Sequence, residues 1–262
     1  MLRHLRLIWL FTRVSVQDDA AYRVDFLAHV LITLLRFGAE LLGLWTIFSN
    51  TQSLSGWGVF EMLALLGVFR IMSGIIALVI APNMRLIMEE IRDGKLDYVL
   101  IKPINSQFYA SFRRVIVWQL ADLMLGAILI AVALVKLATS FSPVVMLLFL
   151  VMLAAGVTII YSFWLVLATL AFWLTRITNM EMVFWNVFEA GRYPVDIYRP
   201  WVRWGLTFIV PLAFLTTFPA GALVGRTPLP GVVAALVLAG ISLLVASAFW
   251  RFGTSRYSGA SA

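Results

Sequence analysis

The chain has 262 residues, 62% of them hydrophobic and only 13% charged, with a mean hydropathy of +0.97. Soluble domains run at roughly 45–50% apolar and roughly 25% charged residues, so a water-soluble enzyme is excluded and the chain is an integral membrane protein. Its net charge of +7 and isoelectric point near 10.1 fit Lys and Arg retained in cytoplasmic loops rather than a nucleic-acid partner. With no cysteine and only His4 and His29, disulfide and thiolate-metal chemistry fall away as well.

The apolar runs are longer and less alternating than the roughly ten-residue strands of a membrane barrel, which makes the bundle all-α. Residues 1–22 place Arg3, Arg6, Arg13 and Gln17 within an arc of roughly 80° at helical period, with Leu2, Leu5, Trp9 and Val16 elsewhere. That pattern predicts an interfacial helix, and the apolar run 7–11 is too short for the core of a cleaved leader. The rest, 23–262, reads as one transmembrane domain. A first span is predicted at 24–48 and a second at 59–80, joined by an uncharged link that faces outward.

The stretch 81–114 then gathers Arg85, Glu89, Glu90, Arg92, Asp93, Lys95, Asp97, Lys102, Arg113 and Arg114, and its basic excess marks it as cytoplasmic. A third span at 115–137, an outward turn at 138–143 and a fourth span at 144–174 follow. From residue 179 two readings stay open. One keeps the arginines at 192–203 inside and runs a straight span over 204–224, as the charge rule favours. The other makes 179–193 a short fifth span and lets 200–226 dip into the outer leaflet and return, as Pro211 and Pro219 favour. The last span is 232–250 either way, with Arg251 and Arg256 holding the C-terminus inside. Trp45 and Trp57 fall at one boundary, Trp118, Trp173 and Trp250 at the other, as interface anchors.

Arg36 and Glu40 lie four apart in the first span and share a helix face. Each alone in lipid would cost roughly 2.5–3.5 kcal/mol on the insertion scale, so a self-neutralising pair facing the bundle is expected, with substrate contact as the sharper alternative. Arg70 has no opposite charge three or four residues away, which points to a partner on another helix, Asp122 or Glu40. Glu61 sits near a helix start, where a carboxylate complements the macrodipole. Arg36, Glu40, Arg70, Asp122, Glu181 and Glu189 are the candidate intramembrane path, and its carboxylates suit a lipophilic cation or drug-like amphiphile. Gly221 and Gly225 form a small-xxx-small pair, a weak helix-contact signal.

No hydrolytic or transfer motif is present. Gly94-Lys95 has Glu89 where a phosphate-binding loop needs glycine, and Leu96 where it needs Ser or Thr. In the charged segment, Leu86, Ile87 and Ile91 form an apolar stripe that Gly94 interrupts; Leu96, Val99 and Leu100 start a second that stops at Lys102-Pro103. The expectation is two short amphipathic helices lying flat beneath the membrane, either a solvated connector or a dock for a partner protein.

The run Glu90-Ile91-Arg92-Asp93-Gly94-Lys95-Leu96-Asp97-Tyr98-Val99-Leu100-Ile101-Lys102-Pro103-Ile104-Asn105 resembles the coupling segment of ABC-2 type transporter permeases, in which acid, base, Gly, Leu, an apolar pair and Pro follow the second span. Glu189-Ala190-Gly191-Arg192-Tyr193-Pro194-Val195-Asp196-Ile197-Tyr198, on to Pro211 and Pro219, is similar to the region before the last helix in that family. There a Gly-x-x-Pro ends the fifth span and a re-entrant helical pair returns to the outer surface. The resemblance covers essentially the whole chain and is strongest to a branch of permeases with no assigned substrate.

It implies a six-helix exporter-like bundle in the cell (inner or plasma) membrane, with both termini cytoplasmic, and it favours the re-entrant reading. It implies a separate ABC ATPase that carries ATP and Mg²⁺, none of which this chain holds itself, and a second permease subunit, identical or from a paired gene. The ATPase contacts implied are Ile87, Glu89, Ile91, Arg92, Leu96, Asp97, Leu100 and Lys102, the charged ones as polar contacts and Ile91, Leu96 and Leu100 as apolar anchors. Two other classes remain: a non-transporting membrane scaffold, and a secondary transporter driven by an ion gradient through the intramembrane acids.

Overall fold

The long apolar runs form helices because, in lipid, only a helix satisfies its backbone within one segment. The structure, a computed structural model, describes residues 10, 11, 13, 23–137, 142–174 and 178–257. The predicted N-terminal interfacial helix and the outward turn at 138–143 fall largely outside these; Leu10, Phe11 and Arg13 are helical, and the Phe11 ring meets Tyr109 edge-on at 5.7 Å.

Helix α1 (Arg23–Asn50) ends in a tight turn that returns the chain to α2 (Val59–Ile75). Leu54 and Trp57 exchange both backbone hydrogen bonds across Ser55 and Gly56, whose φ values of 50° and 82° explain the glycine. Beyond α2 the helix does not stop. A π turn, Ile76–Ile80, passes into α3 (Ala81–Arg92), so that Val59–Arg92 runs unbroken for 34 residues, about 51 Å at 1.5 Å per residue. A hydrocarbon core is about 30 Å thick. The start of the charged segment is therefore the far end of the second span's own helix and not a separate helix lying flat.

The π turn has a local cause. Pro82 has no N–H to give Leu78, and Ile116 N–H donates to that carbonyl instead, at 2.9 Å. Asn83, fully buried, completes the joint. Its Nδ2 donates to Val79 O (2.6 Å) and Arg114 O (2.7 Å), and Arg114 N–H donates to its Oδ1 (2.9 Å).

Gly94, at φ 69°, turns the chain into α4 (Asp97–Leu100) and α5 (Ser106–Phe112), the latter capped by Asn105 Oδ1 accepting from Phe108 N–H at 3.0 Å. The bundle continues with α6 (Leu120–Lys136), α7 (Pro143–Leu170) and α8 (Thr178–Phe188), the last closed by a 3₁₀ turn, Glu189–Arg192. The predicted fifth span is thus only about 25 Å long, at 1.5 Å per α and about 2.0 Å per 3₁₀ residue.

Next come α9 (Pro200–Phe208), a π turn at Ala213–Thr217 running into α10 (Phe218–Leu223), and α11 (Leu229–Ser255). The two halves of 200–223 meet at 76°. That excludes the straight span at 204–224: Pro211 breaks the helix, α9 keeps Trp201, Trp204 and Phe208 exposed, and the second half is buried. Among the described residues, five helices are long and apolar enough to cross a membrane, six if the bent pair counts as one. Secondary structure among the described residues is helical throughout, an all-α membrane bundle.

Lipid is as apolar as leucine, so close packing rather than hydrophobic burial draws such helices together. The core lies along α2. It packs on α6 where a Cβ at Gly67 would lie 2.8 Å from Gly126 O, and one at Gly126 would lie 2.7 Å from Gly67 O. α11 packs along α7, and Gly156 of α7 lets the Phe214 carbonyl come within 2.8 Å of where a Cβ would sit. Gly221 and Gly225 do other work: a Cβ on Gly221 would collide with Thr227 Oγ1, and Gly225 turns the chain at φ 74°.

Two of the predicted interface anchors belong to the core. Trp57 is buried beneath the Arg226 guanidinium, 5.1 Å from its ring centre, and Trp250 is buried with its Nε1 donating to Ser106 Oγ at 3.3 Å. Trp118 stacks on His29 at 4.7 Å, while Trp45 and Trp173 are exposed.

Candidate functional site

Two clusters of charge stand out, one amid the spans and one at the end where the long helix emerges. In the first, Arg70 of α2 is buried and reaches both carboxylates that its lack of an intrahelical partner predicted. Its Nε donates to Glu40 Oε2 at 2.8 Å, its Nη2 lies 2.6 Å from the same oxygen, and its Nη1 pairs with Asp122 Oδ1. Glu40 Oε1 also takes Arg192 Nη2 at 3.1 Å, and that nitrogen lies 2.6 Å from Glu189 Oε2. Phe37 and Phe69 face the Arg70 and Arg192 guanidiniums at 5.6 and 5.5 Å. Five charged groups from α1, α2, α6 and the turn after α8 thus form one network.

The expected pair of Arg36 with Glu40 does not form. Glu40 turns to Arg70 and Arg192, and Arg36 stays exposed, with no ion pair among the described residues. An i,i+4 pair on a helix surface is worth only about 0.2–0.5 kcal/mol, much less than a buried arginine without counter-charge would cost. Arg192, which one of the two open readings put in an inside loop and the other at the end of the fifth span, is a member of the network that sequence reasoning missed; its Gly-x-x-Pro context was the available signal, since it ends the short helix inside the bundle.

Glu181 also moves. It lies in the first turn of α8 and accepts a two-pronged contact from Arg85 of α3, Nε to Oε2 at 3.0 Å and Nη2 to Oε1 at 2.5 Å. It belongs to the charged end and not to the intramembrane path. With Glu40, Asp122, Glu181 and Glu189 all answered by arginine, the predicted cation site has no unpaired carboxylate.

At the charged end, Ile87 and Leu96 are fully buried, Ile91 nearly so, and Leu100 packs partly buried against the same core. The apolar stripes expected to anchor a partner are therefore spent on the chain itself, against α5, α7 and their neighbours. Asp97 is half-buried; Glu89, Arg92 and Lys102 are exposed. The apolar side chains that do face outward are Tyr98 and Ile101, 68% and 76% exposed, three residues apart on α4 and its cap.

Around them the surface is charged. Arg92 Nε and Lys95 Nζ each lie 3.3 Å from Asp93, and those hydrogen bonds hold its carboxyl below the usual range. Lys102 Nζ donates to Tyr109 OH, and Arg113 forks onto Glu90 at 2.7 and 2.5 Å. Behind the face, Gln107 of α5 donates to Tyr161 OH of α7 (3.1 Å) and Ser247 Oγ of α11 (3.0 Å), and Ser111 Oγ lies 2.8 Å from Tyr161 OH. Lys95 is tied to Asp93 in a turn whose next residue, Leu96, is buried.

At the opposite end, Glu61 caps α2 by accepting from Gly58 N–H at 2.8 Å and is gripped by Arg226, Nε to Oε1 at 3.0 Å and Nη2 to Oε2 at 2.7 Å. Its macrodipole role thus comes with a second one, tying the end of the bent pair to the α1–α2 turn.

A bundle of this build, with spans knitted by ion pairs and a charged end standing clear of them, is a multi-pass membrane protein. The family model described as ABC-2 family transporter protein matches residues 34–261, and no curated protein matches the chain significantly. The chain belongs to the ABC-2 transporter family. It is a membrane permease component of an ABC transporter, and membership implies an ABC ATPase as partner.

Proposed function

We propose that this chain is the membrane-spanning half of an ABC exporter, driven by a separate ATPase that docks on the face around Tyr98 and Ile101. The observation that carries the reading is this segment itself: two exposed apolar side chains, Tyr98 and Ile101, in a stretch whose Glu89, Arg92, Lys95 and Lys102 are exposed too, clamped to the spans. An apolar centre with a charged rim is the composition of a protein-docking patch. On this reading the charged end is cytoplasmic, both termini lie on that side of the cell membrane, and two permease subunits line the path. ATP and Mg²⁺ are held by the partner. Its nucleotide cycle changes its contacts with this face, and the bundle shifts between inward- and outward-open states in proportion to the difference in those contacts.

The test is the double variant Tyr98→Asp, Ile101→Asp, assayed by co-purification with the ATPase and by ATP-dependent export in proteoliposomes. Loss of the complex by tenfold or more, about 1.4 kcal/mol, is the expected result. An undiminished complex with undiminished transport overturns the docking assignment. Ile91→Asp serves as a contrast, because it places a charge in the core and lowers the yield of folded protein before any question of docking arises.

A further inference from the structure

Between α1, α2 and the residues after α8 lies a cavity of about 250 Å³, beside the intramembrane network. Arg36, Glu40, Gly43, Leu66, Arg192 and Tyr193 are among its lining. The charges there are not equally available. The Glu40 side chain is 7% exposed and already engaged by Arg70 and Arg192. The Arg192 side chain is 34% exposed, and its buried Nε finds no acceptor among the described residues. Arg36 is exposed and has no ion pair among the described residues. The lining thus holds two arginines against one engaged carboxylate, in a span where an unpaired arginine is costly.

We propose that this cavity binds the anionic head of an amphiphile: one carboxylate, sulfonate or phosphate, received by Arg36, with Arg192 and Tyr193 beside it in the lining. Its size supports a head and not a whole molecule, since pockets that enclose drug-sized ligands run to roughly 300–1,000 Å³. The apolar body stays outside, along the exposed Leu35 and Leu42 of α1. A cation is disfavoured because the one carboxylate in the lining is saturated. The inference names the substrate or lipid class for the permease proposed above and rests on that reading for what becomes of the bound molecule, while binding itself belongs to this chain alone.

Gly43 supplies a variant that leaves the fold intact. A Cβ there meets nothing within 4 Å, so Gly43→Leu fills the cavity without displacing backbone, at a position where any residue but Pro favours helix over Gly. The experiment uses the full chain in phosphatidylcholine nanodiscs with three photoactivatable probes: a fatty acid, its quaternary-ammonium counterpart and a phosphatidylglycerol. Labelled peptides are located by mass spectrometry. The fatty acid is expected to label the segments around residues 36–44 and 192–193 at least tenfold more than the ammonium probe. Arg36→Gln and Gly43→Leu each reduce that labelling about tenfold, and Arg36→Lys retains most of it, as expected for a charge-assisted hydrogen bond.

Labelling by phosphatidylglycerol that competes with the fatty acid identifies a bilayer lipid as the source; labelling by the fatty acid alone identifies a free amphiphile. Equal labelling in wild type and Arg36→Gln, or equal labelling by the ammonium probe, overturns the proposal. Because no ATPase is needed, a chain that labels normally but recruits no ATPase overturns the permease reading alone. A chain that transports with its ATPase but fails to label overturns this inference alone.

Discussion

Arg70 joins three helices of the bundle through its ion pairs. It is buried, and two carboxylates on two other helices, Glu40 and Asp122, converge on it. Arg70→Met therefore leaves Asp122 without its arginine and Glu40 with Arg192 alone, and removing one member of a buried ionic group costs about 3–5 kcal/mol. Thermal unfolding in detergent is expected to show that loss. The triple variant Arg70→Met, Glu40→Gln, Asp122→Asn is expected to recover most of it, because the penalty comes from uncompensated charge and not from a missing contact. A triple variant no more stable than the single one contradicts this account. The same residues show what spacing reveals about a site. Arg70 lacked a neighbour of opposite sign, which was enough to point to Glu40 and Asp122. Arg36 and Glu40 had the right spacing but do not pair: spacing says which side chains can meet on one helix, and it is silent on which has the stronger claim from another.

Among the elements, the joint at residues 78–83 and 114–116 is the one on which the charged end depends. Pro82 frees the Leu78 carbonyl, Ile116 N–H answers it, and Asn83 clasps the backbone of Arg114 through both its N–H and its carbonyl. Asn83→Ala leaves Val79 O, Arg114 O and Arg114 N–H without their partners, each worth about 1–3 kcal/mol when buried. A lowered Tm with faster amide exchange in 114–120 is expected; exchange there at the wild-type rate contradicts the clasp.

A second element-level test concerns packing. Gly126→Val drives a side chain into the Gly67 carbonyl, and overpacking of this kind costs about 1–3 kcal/mol, measurable in the same unfolding assay. Helices and their approximate bounds were legible because apolar runs act locally, while Pro211 and Pro219 raised the bend but left it open against the straight span that the charge count favoured. The ownership of an amphipathic stripe was not. Ile87, Ile91 and Leu96 announced an apolar face, but periodicity cannot say whether that face meets a partner or the chain's own core. Nor could the sequence reveal that α3 continues α2, because a proline inside a helical pattern more often ends a helix than turns it through a π bulge.

At the scale of the whole molecule, polar contacts lead from the charged end into the spans, the Trp250 Nε1 bond to Ser106 Oγ among them, and two bear on coupling. One is ionic, from Arg85 of α3 to Glu181 of α8. The other is a hydrogen-bonded cluster in which Gln107 and Ser111 of α5 meet Tyr161 of α7 and Ser247 of α11. Under the permease reading, a partner that pushes on Tyr98 and Ile101 moves α4 and α5 first, and these contacts, with the core behind them, oblige α7, α8 and α11 to follow. Tyr161→Phe keeps the ring and its packing but removes the hydroxyl that both Gln107 and Ser111 reach. Docking is untouched, so ATP hydrolysis by the reconstituted complex is expected to stay within about twofold while export falls several-fold, a loss of coupling on the scale of the roughly 1–3 kcal/mol by which linked sites usually communicate. Arg85→Glu is expected to weaken coupling in the same manner, and Arg85→Glu combined with Glu181→Arg to restore it, since the reversed pair re-forms the same contact with opposite polarity. The interaction term of that double-mutant cycle is the decisive measurement. If hydrolysis and export fall together in every variant, the residues support the fold and carry no motion between the face and the spans; if export alone falls and the swap restores it, the ionic contact transmits the stroke to the helix that ends at Arg192.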